Sequence, residues 1–264
     1  MALFDTHCHL DIDLYDGDRD EVFARAHAAG VGCFLNPASD LASSARAVSL
    51  AEARHDTWAA VGIHPNAAGE VDAAALERLR GLALHPRVVA IGEIGLDYHW
   101  NSFPPDVARA AFEAQIHLAQ EVGKPVIIHC RDAMAEVLAV LTSANAGPGA
   151  VPVLLHAFSG DADQARAAAS RGYWFGLGGP LTFARADALR AIAAELPLES
   201  IVLETDSPYL TPHPFRGRRN EPMRIVEVAR RLGELRGLDP SEIGRLTSKN
   251  ATRLFNIPPT LEQE

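Results

Sequence analysis

The sequence predicts an α/β fold, a closed (β/α)8 barrel of the TIM type, on three observations. Eight short apolar runs rich in β-branched residues recur along the chain, and helical periodicity fills the stretches between them. That alternation favours parallel strands joined by right-handed crossovers. The length of 264 residues is close to the ~250 typical of one such barrel. An open, doubly wound sheet is the competing arrangement, and periodicity alone does not separate the two.

The first run, residues 3–9, ends in Asp5-Thr6-His7-Cys8-His9, so His7 and His9 share one face and Cys8 the other. A helix over 20–29 leads to the second strand, 31–37. The third, 57–64, closes with Gly62-Ile63-His64-Pro65, and the fourth, 88–94, runs into Gly92-Glu93-Ile94-Gly95-Leu96-Asp97-Tyr98. A helix over 106–121 precedes strand five, 125–130, which ends in His129-Cys130-Arg131-Asp132 and passes into a helix over 132–142. Residues 144–152 read as a loop. Strand six, 151–158, ends in His156-Ala157-Phe158-Ser159-Gly160, and Asp161 is placed to cap the next helix. Strands seven and eight are 173–177 and 201–206, the last ending in Glu204-Thr205-Asp206-Ser207-Pro208. The tail from Pro258 is expected to fray. With no internal repeat and no linker, residues 1–264 read as one domain.

Composition bounds the function. With 48% hydrophobic and 22% charged residues the chain is an ordinary globular one. No signal peptide and no membrane-spanning run is expected. Cys8, Cys33 and Cys130, odd in number and in apolar segments, fit core filler in a reducing cytoplasm. A net charge of −10 argues against wrapping duplex DNA through many phosphate contacts, but not against a nucleic-acid substrate.

The chemistry stands at the strand ends. In a closed barrel these converge on one mouth, bringing His7, His9, Glu93, His129, His156 and Asp206 together. A lone histidine on a strand is more often a hydrogen-bonded core residue. Five strands each ending in histidine or carboxylate are hard to explain by packing, since burying such groups unpaired costs several kcal/mol apiece. Imidazole and carboxylate suit zinc, manganese or magnesium, in rising order of oxygen preference. Six ligands are too many for one tetrahedral ion, so two divalent metal ions are expected, bridged by Glu93. The only lysines, Lys124 and Lys249, are not at the end of strand four, so a carboxylated lysine is not the bridge. His27, His55, His85 and His117 fall in expected helices and take no role; His99 and His213 stay undecided.

The set of motifs at 5–11, 62–65, 92–98, 129–133, 156–160 and 203–210 closely resembles the TatD family of metal-dependent deoxyribonucleases. The match extends through Arg216-Gly217-Arg218-Arg219-Asn220-Glu221-Pro222 and Asn250-Ala251-Thr252-Arg253-Leu254-Phe255, over essentially the whole chain. Ala157 and Arg109 depart from residues common in the family and bear on substrate fit. The resemblance implies an amidohydrolase-type TIM barrel with the same six ligands. It further implies hydrolysis of DNA phosphodiesters, as a 3′→5′ exonuclease on single-stranded ends, with links to DNA repair.

On that reading, Asp206 is the candidate for orienting or deprotonating water, and Glu93 bridges the metals. Glu204, two residues before Asp206, is a partner to a ligand or a ligand itself. His64 and Arg131 are candidates to bind substrate phosphate; a rigid turn before Pro65 and a salt bridge are the structural alternatives. Asp5 and Asp97 are supporting or structural groups. Arg216, Arg218 and Arg219 form either a phosphate guide or a solvated loop, and Tyr98, Trp100, Phe103 and Phe158 either stack on bases or pack as a rim. The expected partner is a nucleic-acid substrate, single-stranded DNA, with no membrane and no obligate protein partner. Two rivals are a hydrolase of small esters, amides or phosphates, which inactivity on oligonucleotides would favour, and a non-catalytic metal-binding protein, which metal-dependent turnover would exclude.

Overall fold

In the computed structural model, which describes residues 2–257, eight parallel strands form one sheet in sequential order, β1 to β8. They are β1 (Leu3–Asp5), β2 (Val31–Pro37), β3 (Thr57–Val61), β4 (Val88–Asp97), β5 (Val126–Arg131), β6 (Val153–Leu155), β7 (Trp174–Leu177) and β8 (Ile201–Leu203). Beyond β1 and β8 the two edges meet: Thr6 N donates to Leu203 O at 3.1 Å, Asp206 N to His7 O at 2.8 Å and His9 N to Ser207 O at 2.8 Å. That seam closes the barrel and excludes the doubly wound alternative. The tail from Pro258 lies outside the described residues.

The first seven crossovers carry α1 (Arg19–Ala28), α2 (Leu41–Ala53), α3 (Ala73–Ala83), α4 (Pro105–Val122), α5 (Met134–Ser143), α6 (Ala162–Ser170) and α7 (Asp187–Glu195). Two more helices, α8 (Ile225–Arg236) and α9 (Pro240–Leu254), follow β8. Aspartates start several of them. Asp40, Asp72 and Asp161 each accept a backbone N–H three residues on, and at Asp161 the Gln164 side chain reciprocates as a capping box. His55 and His85, expected inside helices, lie just past the ends of α2 and α3. His85 faces Glu52 at 3.0 Å, and His27 faces Asp56 at 2.8 Å.

Two apolar cores follow from strand alternation. Outward-facing residues such as Phe34, Val61, Ile91 and Ile128 pack beneath the helices. Inward-facing Phe4, Leu35, Ala60, Ile127, Leu154 and Val202 form a second cluster with Leu254 and Phe255 of α9, which plugs the end of the barrel opposite the mouth. Ser248 Oγ accepts from Phe4 N at 3.0 Å, and Asn250 Nδ2 donates to Leu198 O and Ile201 O at 2.8 Å each.

Strands one, three, six and eight end earlier than the sequence predicts, because the chain leaves extended conformation to roof the site. Ala157 and Asp206 sit at φ 43° and 53°. Strand four runs on instead, pairing Leu96 with Cys130 and Asp97 with Arg131. Gly95 permits it: at φ 145°, a Cβ there would lie 2.0 Å from His129 O. Among the described residues no helix is long and apolar enough to cross a membrane.

Candidate metal centre

The side-chain period of a strand carries the inward core up into the site. Ile127, Leu154 and Val202 face the barrel interior, so His129, His156 and Glu204, two residues further on, face it one layer higher. His7 and His9 are held differently, because β1 has already ended. Asn36 Oδ1, reached from β2, accepts from Leu10 N at 2.6 Å and Asp11 N at 3.1 Å and pins the segment behind them. Cys8 points away, its thiol donating to Leu35 O at 3.5 Å. Across the seam, Asp5 accepts from Thr205 N at 2.9 Å and Thr205 Oγ1 at 2.6 Å, so Asp5 is a structural staple.

All six expected ligands meet. The Nε2 atoms of His7 and His9 are 3.2 Å apart. Glu93 Oε2 lies 3.3 Å from His7 Nε2 and 3.9 Å from His9 Nε2. Its other oxygen, Oε1, lies 2.7 Å from His129 Nδ1, 3.8 Å from His64 Nε2 and 3.8 Å from His156 Nε2. Asp206 Oδ1 completes the ring at 3.4 Å from His9, 3.7 Å from His7 and 3.9 Å from His156. One buried carboxylate thus presents each oxygen to a different group of nitrogens.

A second layer orients these rings. Asp97 Oδ2 is 2.9 Å from His129 Nε2, Glu204 Oε1 is 2.9 Å from His156 Nδ1, and Pro37 O is 3.2 Å from His9 Nδ1. Pro37 O and Asp97 draw the ring protons of His9 and His129 outward and turn the other nitrogen's lone pair inward, while Glu204 faces His156 as an ion pair without hydrogen-bond alignment. Glu204 is fully buried and also accepts from Ala157 N at 2.7 Å. Gly176 makes room for it, since a Cβ there would be 2.2 Å from Glu204 Oε2.

Burial and neighbouring charge pull these groups in opposite directions. Burial opposes charge on every group, yet the surrounding imidazoles hold Glu93 well below the ordinary carboxylate range and Asp206 below it too. Burial works against protonated His129 and His156, but their carboxylate neighbours raise them to about 9 and about 10. His7 is pushed down by burial and by His156, whose ring stacks on it with centroids 3.4 Å apart. His7 Nδ1 is buried without a hydrogen-bond partner among the described residues.

These residues fit divalent cations. Three groups, His7/His156/Asp206, His7/His9/Glu93 and His64/Glu93/His129, each hold their ligand atoms within 4.8 Å of one another. Nitrogens that converge at 3.2 Å, beside carboxylates held ionised, are a donor set for metal rather than for a proton network.

The cluster floors a cleft of about 1290 Å³ that also takes in His64, Trp100, Arg131 and Tyr209. His64 answers both of its sequence readings. Its Nδ1 accepts from Asn66 N at 3.0 Å and so caps the turn that begins at Pro65, and this leaves Nε2 to carry the proton of the neutral ring. Burial holds that ring neutral by lowering it to about 4. Arg131 is exposed and forms no salt bridge among the described residues. Within the Arg216–Arg219 stretch, Arg219 binds Asp18 at 2.6 Å and Glu221 at 3.3 Å, Arg216 lies over the Phe183 ring at 4.0 Å, and Arg218 is exposed. Of the four aromatics picked from sequence, Phe158 is buried against Phe175, Phe103 packs on Gly69, and Tyr98 hydrogen-bonds Glu136 at 2.5 Å. Arg109 pairs with the same Glu136. Only Trp100 stands in the open. Sequence reasoning missed Tyr209, although it closes the strand-eight motif, and Asn220, whose Nδ2 holds Thr205 O at 2.9 Å and Tyr209 O at 2.7 Å.

The profile of a family described as TatD related DNase matches residues 4–256. The metal-dependent hydrolase YabD of Bacillus subtilis is 41% identical over 97% of this chain and 99% of its own. The 3′-5′ ssDNA/RNA exonuclease TatD of Cronobacter sakazakii is 38% identical over 96% of this chain and 97% of its own. The crystal structure of YJJV, a TatD homologue from Escherichia coli, superposes with a TM-score of 0.87 at 34% identity, covering 97% of this chain and 98% of that one.

Proposed function

The chain belongs to the TatD related DNase family, and from that premise we propose that it is a divalent-metal-dependent nuclease that removes nucleotides from the 3′ ends of single-stranded DNA. The observation that carries the reading is Glu93, whose two oxygens face two different groups of imidazole nitrogens. Two divalent ions would be held around it, one by His7, His9 and Asp206 with Glu93 Oε2, the other by His129 and His156 with Glu93 Oε1. The nitrogen-rich donor set favours zinc or manganese over magnesium. When bound, such ions polarise the phosphoryl oxygens and acidify a water.

The chain's own groups do the rest. Asp206 turns Oδ1 to the imidazoles and leaves Oδ2 to take a proton from the attacking water and return it to the departing 3′ oxygen as the P–O3′ bond breaks. His64 Nε2–H donates to a phosphate oxygen, and the Arg131 fork neutralises the strand beside it. Glu204 acts through His156 and Asp97 through His129, each fixing a ring. We assign the activity to residues 1–264 as one domain and place it in the reducing cytoplasm, where its three free cysteines fit.

The test is degradation of 3′- and 5′-labelled single-stranded DNA with Mg²⁺, Mn²⁺ or Zn²⁺ and with chelator, beside Asp206→Asn. Metal-dependent shortening from the 3′ end, lost in the variant, is expected. No cleavage by metal-loaded protein would move the substrate to a small ester, amide or phosphate. Near-normal turnover of Asp206→Asn with full metal content would remove the proton-accepting role.

A further inference from the structure

Trp100 and Tyr209 are 63% and 56% exposed, the only aromatics among the large hydrophobic side chains that the described residues leave in solvent. Both line the cleft over the metal centre. Trp100 follows β4 and Tyr209 follows β8, and in a closed ring of eight strands those are four places apart, on opposite walls of the mouth. Neither sits on loose chain. Asp97 Oδ1 accepts from Trp100 N at 3.0 Å, so the carboxylate that orients His129 also holds the tryptophan. Tyr209 N donates to Asp206 O at 2.7 Å, and its own carbonyl accepts from Asn220. Each ring is therefore anchored through its backbone to a ligand or a ligand's partner, with its side chain exposed in the cleft; His99 meets the Trp100 ring edge-on at 5.2 Å.

The charge of the mouth makes these rings matter. The protein carries a net charge of −10, and Arg131 is the one arginine or lysine lining the cleft among the described residues. Arg131 itself lies over the Trp100 ring, 5.8 Å from its centroid. Phosphate contacts alone would give a nucleic acid little grip here. Stacking of a base on an aromatic ring contributes binding without cations and accepts any base, but only where the base face is uncovered. Tyr209 sets its ring edge-on to the His9 imidazole at 6.1 Å, so a base stacked on it would lie beside the centre rather than remote from it.

We propose that Trp100 and Tyr209 are specificity-determining residues, the two ends of a base-stacking track that holds an unpaired strand across the mouth. The scissile phosphate then lies over Glu93 between them. The inference rests on the nuclease reading and explains why single strands, rather than duplexes, are taken. It gives each ring a base on one side of the cleaved bond.

The experiment compares a single-stranded oligonucleotide with versions bearing one abasic residue on either side of the scissile phosphate, using the metal-loaded full chain. For the wild type, each abasic site should raise KM roughly ten-fold. Trp100→Ala and Tyr209→Ala should each raise KM for the intact oligonucleotide by a similar factor, with the loss falling on KM rather than kcat. Each variant should also be insensitive to one of the two abasic positions. Binding has its own signal: Trp58 and Trp174 lie under Arg87 and Arg253, at 3.9 and 4.8 Å, which leaves Trp100 as the solvent-facing indole. A cleavage-resistant phosphorothioate oligonucleotide should quench its emission, and the fully abasic analogue should not. Cleavage indifferent to abasic sites, or variants that lose kcat equally on every substrate, would overturn the track and leave the nuclease standing. Quenching without cleavage would keep the track and overturn the nuclease; neither quenching nor cleavage would overturn both.

Discussion

Nδ1 of His156 lies 2.9 Å from Oε1 of Glu204, a carboxylate with no exposure to solvent, and that contact decides which nitrogen of the ring faces the centre. Glu204 does not reach the mouth, so its effect on catalysis passes through His156. Glu204→Gln keeps the shape but removes the negative charge that pairs with the ring. Metal affinity should fall about 10- to 100-fold, with much of kcat recovered at saturating metal. Metal titration of the chelator-treated variant, followed by rate, measures both.

His64 is predicted to bind substrate, not metal, because its Nδ1 lone pair is taken by Asn66 N–H at 3.0 Å and Nε2 must then carry the proton. His64→Ala should leave metal content unchanged and lower kcat/KM on oligonucleotides by roughly 10- to 100-fold, the scale of one lost hydrogen bond to a charged group. Metal analysis alongside steady-state rates separates this from loss of a ligand.

Metal removal should destabilise the fold. Glu93 and Asp206 are ionised carboxylates packed among imidazoles that converge at 3.2 Å, an arrangement a cation relieves. At a hundred-fold excess over Kd, one ion stabilises by about 2.7 kcal/mol, so chelation should lower Tm by at least about 5 °C. Differential scanning fluorimetry with and without chelator reads this directly.

Away from the site, Asp18 accepts from Arg219 at 2.6 Å and Arg25 at 2.9 Å, and those bonds lower its pKa to about 2. A carboxyl depressed in the folded state stabilises above its unfolded pKa of about 4, and that contribution is lost as pH falls toward 2. Asp18→Asn should cost no more than about 1 kcal/mol at neutral pH, since the network is partly exposed. The deficit should shrink as urea denaturation is repeated from about pH 6 to about pH 3.

Most of the centre was legible because strand ends impose it. His129, His156 and Glu204 each stand two residues beyond an inward apolar residue, a period that any parallel barrel must keep. What escaped were groups whose position depends on chain outside the strands. Tyr209 is placed by Asn220, eleven residues on, and no periodicity reports that link. Arg216 and Arg219 looked like a free basic cluster, but Phe183, Asp18 and Glu221, distant in sequence, occupy them. Strand lengths were overestimated for the same reason: the residues that carry ligands leave the ladder, as at Asp206 with φ 53°.

The central claim, that Glu93 joins two ions into one phosphodiester-cleaving centre, is tested most directly by titrating metal into the chelator-treated chain while following 3′ shortening of single-stranded DNA. The account predicts a rate that climbs to its plateau at two ions per chain, and a Glu93→Ala variant that never reaches it. A plateau at a single ion, or a Glu93→Ala titration that matches the wild type, would contradict it.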